Sequence, residues 1–240
     1  MTKSYWISDI GCVRTHNEDS CLSLPEKQLY AVADGMGGQA AGEVASSLLV
    51  EVLREDLSSL DRIGEEELRR AVLHANERIL QEAEANPQKK GMGTTATVLK
   101  ILDGRALWAH VGDSRLYLYR GGHLQQVTCD HSYVESLVSQ GSLTEEEARK
   151  HPQRNMLLRA VGVERGLEVD TGSFPLQWGD FLLLATDGLM NMVEDAAIAE
   201  VLEAARQTPE RCEVLARELV QMALNAGGTD NVTVVAVVYS

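Results

Sequence analysis

Cysteine is scarce and unpatterned in this chain. The four residues, Cys12, Cys21, Cys129 and Cys212, form no CxxC pair and have no neighbouring His at zinc spacing. A disulfide scaffold and a zinc finger are therefore excluded, and reduced thiols are expected. Long apolar runs are also missing. The longest, Val234 to Val238, falls far short of the roughly 20 residues of a membrane span. The N-terminal Met1-Thr2-Lys3-Ser4-Tyr5 lacks the charged-then-apolar order of a signal peptide, so a cytoplasmic protein with no membrane span is expected. Positive charge is in deficit: Lys+Arg 22 against Asp+Glu 36 gives a net charge of −14. A nucleic-acid partner is disfavoured, because gripping a phosphate backbone requires a basic surface. Also absent are an internal repeat, a low-complexity tract, a linker, a Gly-x-Ser-x-Gly elbow and a Cys nucleophile with an evident His partner.

What is present is enough for a fold. The 240 residues, 44% of them hydrophobic, are ordinary for one large globular domain, here residues 1–240. A chain of this size buries roughly 70% or more of its unfolded surface and needs no staples. A strand is expected over Tyr5 to Asp9, then a polar stretch, Gly11 to Ser20, too charged for a core strand. Leu29 to Ala33 reads as a buried strand ending in Asp34 and running into the glycine-rich Gly35-Met36-Gly37-Gly38. The helix that follows carries Ala45, Leu48, Leu49, Val52 and Leu53 on one face. Glu65 to Ala85 is a second helix, ended by Asn86-Pro87. Glu65-Glu66-Glu67 and Glu145-Glu146-Glu147 read as solvated first turns, where negative charge suits the helix dipole.

From Gly93 the pattern changes to hairpins. Ala96 to Leu102 and Arg105 to Val111 flank Asp103-Gly104; Arg115 to Arg120 and His123 to Val127 flank Gly121-Gly122. Asp130 to Gly166 is polar, with short helices at Ser132 to Ser139 and Thr144 to Lys150. It reads either as a mobile subdomain beside a site or as a plain solvated insert. Strands at Leu167 to Phe174 and Asp180 to Thr186, helices at about Glu194 to Ala205 and Pro209 to Asn225, and a strand at Val232 to Tyr239 complete the chain. Antiparallel neighbours with helices in separate blocks argue an α+β layered domain.

Four aspartates stand at strand edges beside small residues: Asp34, Asp113 in Gly112-Asp113-Ser114, Asp187 in Thr186-Asp187-Gly188, and Asp230 in Thr229-Asp230-Asn231. Singly each reads as a turn or cap. Together with Glu18-Asp19 they make six carboxylates, which would repel one another unless cations hold them. All-oxygen ligation selects Mg²⁺ or Mn²⁺ over zinc or copper. Two such ions would activate a water and polarise a phosphoryl oxygen, so no nucleophilic side chain is required. Arg14 reads either as a bidentate phosphate grip or as a surface ion pair with its acidic neighbours.

The motifs Asp9-x-Gly11-x-x-Arg14-x-x-Asn17-Glu18-Asp19, Asp34-Gly35-Met36-Gly37-Gly38, Gly93-Thr94-Thr95, Gly112-Asp113-Ser114-Arg115, Asp187-Gly188-Leu189 and Asp230-Asn231 occur in that order. The order closely resembles the bacterial branch of the PP2C (PPM) metal-dependent Ser/Thr protein phosphatases, over residues 9 to 237. Asp130-His131-Ser132 and His151-Pro152-x-Arg154-Asn155 look like that family's flap, here about residues 130–166. The resemblance implies a four-layer α/β/β/α sandwich with two central antiparallel sheets, a helical flap insert and a dinuclear Mn²⁺/Mg²⁺ centre. By motif, Asp34 bridges the metals, Gly35 offers its carbonyl, Asp187 and Asp230 complete one metal, and Glu18 and Asp19 act mainly through water. Asp113 matches a weaker third-metal position, and Arg14 the phosphate-binding arginine. Met36 stands where animal members carry a His suggested as general acid, so a metal-held water is the expected proton donor, with His131 and His151 the side-chain alternatives. The implied activity is hydrolysis of phosphoserine and phosphothreonine in proteins by a monomer, opposing a bacterial membrane Ser/Thr kinase.

Three rival readings compete. Gly35-x-Gly37-x-x-Ala40 superficially matches a dinucleotide fingerprint, but Asp34 would face a pyrophosphate and no βαβ unit follows. A catalytically silent phosphoprotein-binding module of the same fold would require lost metal ligands, and none is missing. A phosphatase of anti-sigma-pathway regulators would usually bring sensor domains, for which 240 residues leave no room.

Overall fold

A computed structural model describes residues 2–37, 41–206 and 212–240. In chain order the elements are β1 (Thr2–Asp9), β2 (Asp19–Leu24), β3 (Leu29–Met36), α1 (Ala41–Ser58), α2 (Glu65–Ala85), β4 (Gly93–Thr94), β5 (Ala96–Leu102) and β6 (Arg105–Val111). Then come β7 (Arg115–Arg120), β8 (His123–Gln126), α3 (Tyr133–Ser139), α4 (Glu145–Arg149), β9 (Asp170–Pro175), β10 (Phe181–Ala185), α5 (Asp187–Met190), α6 (Asp195–Arg206), α7 (Cys212–Asn225) and β11 (Val232–Tyr239).

Two antiparallel sheets result, in the orders β1-β11-β10-β7-β8 and β2-β3-β5-β6-β9. Strict alternation gives the central strands two apolar faces, and each face finds a layer. Leu29, Ala31 and Ala33 of β3 pack under α1 and α2 with Leu49, Leu53, Leu68 and Ile79. Tyr30 and Val32 point the other way, into a layer between the sheets with Leu99, Leu116, Leu184 and Val235. The second sheet buries its outer face, including Leu183, Val234 and Ala236, under α6 and α7. The architecture is the expected α/β/β/α sandwich. Each fully buried leucine in these layers contributes roughly 2 kcal/mol by removal from water.

Most expected elements stand where periodicity puts them; α2, β5, β6, β7 and β11 match to the residue. Asp103 and Gly104 both take positive φ (50° and 72°), the geometry of the tight hairpin turn that this residue pair favours. β1 starts at Thr2, three residues before the expected Tyr5, and β8, β10, α3, α4 and α6 shift by one residue at one end or both. Four further differences bear on the site or its surroundings. The strand carrying Asp34 does not end there: β3 continues to Met36 because Gly35 and Met36 pair with Thr94 and Gly93. The strand expected from Leu167 begins at Asp170, paired with His110 of β6, and runs to Pro175. The polar stretch read as unfit for a strand yields Asp19 and Ser20 to β2, which pairs with β3 from Asp19↔Asp34 to Leu24↔Leu29. Asp187 opens a short helix, α5. Gly38 of the glycine-rich motif, Ala40 of the dinucleotide reading and Pro209, the expected start of the last helix, lie outside the described residues. The antiparallel pairing of β3 on both sides removes the βαβ unit that a dinucleotide site needs.

His110 sits fully buried between the sheets, its Nδ1 3.0 Å from Thr97 Oγ1 and its Nε2 3.1 Å from the Cys129 carbonyl. Burial, with His131 adjacent, holds its imidazole down at about 3. The folded chain therefore binds no proton there while the unfolded chain does below the ordinary histidine value near 6.5. Stability from this side chain is complete above about pH 6.5 and is lost, at about 1.4 kcal/mol per pH unit, as pH falls toward 3. Between pH 6.5 and 4.5 the unfolding free energy of the parent should therefore drop by roughly 2 kcal/mol more than that of His110→Asn. Parallel urea-denaturation curves for the two would disprove this.

Candidate metal centre and phosphate site

Alternation also aims the site. Asp34 follows Tyr30 and Val32 on the face of β3 that looks between the sheets, and Asp19 holds the paired position on β2. Two carboxylates directly opposite on neighbouring strands are destabilising as bare charges. From the other sheet, Thr186 and Thr233 donate to Asp19 Oδ2 at 2.8 and 2.6 Å. Asp113 lies where the chain crosses from β6 to β7, Asp187 at the end of β10, and Asp230 just before β11. One end of both sheets thus delivers all of these carboxylates to one place.

A cleft of about 230 Å³ opens there, lined by Arg14, Glu18, Asp34, Gly35, Met36, Asp113, Asn155, Leu157, Asp187 and Asp230 among others. A second cleft of about 400 Å³ runs beneath α3 and α4 and shares Asp113, Asn155 and Asp187 with the first. Burial first, then the charges of Asp19, Asp187 and Asp113, drive the Asp34 carboxyl well above its ordinary range. Burial and Asp187 do the same to Asp113, and burial and Asp230 raise Asp187. Burial raises Asp19 to about 7 against the opposing hydrogen bonds from Thr233 and Thr186. Glu18 is raised by burial, while Arg14 pulls the other way.

The frame around these groups is hydrogen-bonded throughout. Asp34 N–H donates to Thr95 Oγ1 (2.8 Å), and the Asp34 carbonyl accepts from Thr95 N–H (2.9 Å) and Thr94 Oγ1 (3.0 Å). The Thr95 hydroxyl also meets Ser114 Oγ at 2.7 Å, next to Asp113. The Gly-Thr-Thr motif is therefore the clamp on Asp34. Asn231 does the same for the loop before β2: Glu18 N–H donates to its Oδ1 (2.8 Å), and its Nδ2 donates to the carbonyls of Ile10 and His16. Gly35 is obligatory by contact, since a Cβ there would lie 2.1 Å from the Gly42 carbonyl oxygen and 2.5 Å from that of Glu18.

Two carboxylate oxygens, Asp19 Oδ1 and Asp187 Oδ1, are buried without any hydrogen-bond partner. Such orphans are costly unless a cation meets them. The donor set is oxygen only, the choice of hard divalent ions, so these residues fit the group the sequence implied. Among the described residues no three His, Cys, Asp or Glu side chains already close on one point. Asp230 is one reason, because its Oδ2 accepts from Arg14 at 2.7 Å and its Oδ1 from Asn231 N–H at 2.8 Å. Both sequence readings of Arg14 bear on this: it makes an ion pair, with Asp230 rather than Glu18 or Asp19, and its half-exposed guanidinium lines the cleft.

Neither histidine alternative faces the site. His131 is 4% exposed and spends both ring nitrogens on Gly112 and Asp170. The His151 ring accepts from Gln153 N–H and packs against Tyr133. Met36 lines the cleft with a thioether, which has no proton to give.

Clustered carboxylate oxygens beside a guanidinium suit a hydrolase that acts on phosphoryl groups with metal assistance. Comparison with known proteins narrows the class. The protein phosphatase 2C family model matches residues 13–225. A serine/threonine phosphatase Stp of Listeria monocytogenes is 40% identical over 238 residues, spanning 96% of this chain and 93% of that one. The crystal structure of the Mycobacterium tuberculosis serine/threonine phosphatase PstP/Ppp aligns with a TM-score of 0.91 at 41% identity, covering 100% of this chain and 99% of that one. A PstP catalytic domain solved in complex with two manganese ions aligns at 0.89 and 39% identity, over 99% and 97% of the respective chains. The chain belongs to the protein phosphatase 2C family.

Proposed function

We propose that the chain hydrolyses phosphoserine and phosphothreonine in phosphoproteins, using divalent cations held at the carboxylate cluster. One observation carries this: a buried Asp19 and a part-buried Asp34 face each other in register, with Asp187 in hydrogen-bonding reach of Asp34 and two oxygens of the group unpartnered. Asp34, the Gly35 carbonyl, Asp187 and Asp230 would hold two ions, with Glu18 and Asp19 acting mainly through water and Asp113 serving a third, weaker site. Mn²⁺ is the first choice, by likeness to the manganese-bound PstP domain, with Mg²⁺ the alternative. The ions supply a water acidified for attack and a polarised phosphoryl oxygen. Arg14 turns from Asp230 to the substrate phosphate, which its planar fork matches. No His, Cys, Tyr or Lys is among the described residues that line the cleft, which supports water as the proton donor to the departing serine oxygen. The test is release of phosphate from a phosphothreonine peptide: rapid with Mn²⁺, abolished by excess EDTA. Metal-bound protein without turnover would favour a silent phosphoprotein-binding module instead.

Residues 1–240 act in this reading as one domain, a cytoplasmic monomer opposing a Ser/Thr kinase. No described helix is long and apolar enough to cross a membrane. The flap of residues 130–166 lends Asn155 and Leu157 to the cleft, while α4 stands off it, joined to the segment before α6 by an exposed ion pair between Arg149 and Glu194. Trimming residues 142–150 should therefore spare hydrolysis of a small aryl phosphate and lower kcat/KM for phosphoproteins. Equal loss on both substrates would sink a docking role.

A further inference from the structure

The 400 Å³ cleft under the flap mixes acidic, basic, polar and apolar side chains; Arg115 is paired with Asp130 in its wall and Arg149 with Glu194 beside it, and so mixed a lining names no one occupant. The turn that presents Asp113 is held on its Ser114 side by Thr95 and Thr97, and on its Gly112 side by one residue at the root of the flap, His131.

Gly112 adopts φ +107°, and a Cβ there would press within 2.7 Å of the Thr95 side chain, so the turn is tight and admits only glycine. Its carbonyl accepts from His131 N–H at 2.7 Å, and its own buried N–H donates to His131 Nδ1 at 3.2 Å. That acceptor fixes the tautomer: the proton is on Nε2, which donates to Asp170 Oδ2 at 3.2 Å. Asp170 is anchored in turn by Arg159, 2.8 Å from its Oδ1. The ring of His110 packs on His131 with centroids 4.8 Å apart. The His131 carbonyl accepts from Leu158 N–H at 2.8 Å, and the neighbouring pair Ser132↔Leu157 joins the two arms of the flap. Leu157 lines the catalytic cleft. One residue thus ties together the Asp113 turn, both arms of the flap and the start of β9.

We infer that His131 is a positioning residue, which locks the aim of the Asp113 carboxylate to the flap root and so sets the affinity of the weakest-held cation. This rests on the reading of Asp113 as a metal ligand. The backbone bond to Gly112 survives any substitution; the ring acceptor does not, and without it the Gly112 N–H is buried and unsatisfied. Groups that orient a metal ligand typically change metal affinity or activity 10–100-fold when removed.

The side-chain geometry supplies its own control. Asparagine places an oxygen near the position of Nδ1 and can accept from Gly112, whereas glutamine reaches only toward the position of Nε2. Mn²⁺ binding to the full chain would be followed by titration calorimetry, amide exchange at Gly112 by NMR, and kcat and KM with para-nitrophenyl phosphate. Expected for His131→Ala and His131→Gln are a roughly 10–100-fold weaker lowest-affinity Mn²⁺ site, faster Gly112 exchange and a fall in kcat with little change in KM. His131→Asn should return all three close to the parent. Should the alanine variant fail to fold, the Asn and Gln pair still decides. Equal behaviour of Asn and Gln, or an alanine variant with parental Mn²⁺ affinity and Gly112 exchange, would overturn the inference. A parent that binds Mn²⁺ but hydrolyses nothing would refute the phosphatase reading alone, since the Mn²⁺ and exchange comparisons still stand.

Discussion

Asp34→Asn is expected to lower kcat/KM on a phosphothreonine peptide by at least about a thousandfold, about 4 kcal/mol of transition-state stabilisation. The same substitution should raise the melting temperature of the chelator-treated protein. Both effects come from one arrangement. Asp34 lies opposite Asp19 in the β2–β3 ladder, within hydrogen-bonding reach of Asp187, with Asp113 also acting on it. An amide of the same shape keeps one oxygen donor but removes the charge that would hold cations. With no cation bound, removing that charge relieves repulsion among the remaining carboxylates. A relief of ~1–2 kcal/mol corresponds to roughly 2–8 °C for a chain of this length. Opposite signs on activity and stability mark a functional carboxylate, because an aspartate kept only for structure would lose both together. An Asp34→Asn variant that melts below the parent in EDTA would show that Asp34 is structural.

Arg14→Ala should raise KM for the phosphopeptide roughly 10–100-fold, the value of a charged hydrogen bond at about 1.5–3 kcal/mol, and lower kcat much less. The guanidinium is half-exposed at the rim of the cleft and bound to Asp230 at 2.7 Å, so it is placed to exchange one anion for another. Arg14→Lys should recover only part of the loss, since a point charge cannot make the planar two-point contact. The substitution also frees Asp230 Oδ2, so Mn²⁺ affinity in Arg14→Ala should be equal to or higher than in the parent. Unchanged KM in both variants would leave Arg14 as a surface ion pair and nothing more.

The parts of this molecule legible from its sequence are those where local pattern and tertiary contact agree. The helix over Glu65–Ala85 and the hairpin about Asp103-Gly104 are set by periodicity and turn chemistry, and both form with the expected bounds. The start of β2 is hidden because its inward face begins with Asp19, a charged residue that periodicity assigns to solvent. Only the other sheet, through Thr186 and Thr233, makes that position tenable. The extension of β3 past Asp34 depends on Gly93-Thr94, some sixty residues away, and no local signal announces it. The carboxylates themselves are visible as aspartates beside small residues at strand ends. Several of their supports are not, because a hydroxyl such as Thr233 within a β-branched strand looks like any other strand residue. Asn231 and the Gly93-Thr94-Thr95 run are visible as motifs, but their roles as clamps emerge only from the hydrogen bonds they make. His131 is legible only as a titratable side chain near a site, which makes it a candidate acid; its burial and its bonds to Gly112 and Asp170 reassign it.

The most direct single measurement is the number of Mn²⁺ ions bound per chain, determined by electron paramagnetic resonance during a titration of chelator-stripped protein while phosphate release from a phosphothreonine peptide is followed in the same samples. At least two ions per chain are expected, with turnover rising as they fill and vanishing when EDTA withdraws them. Turnover that persists in excess EDTA, or a chain that binds no Mn²⁺ at all, would contradict a cation-assisted attack of water at Asp34, Asp187 and Asp230.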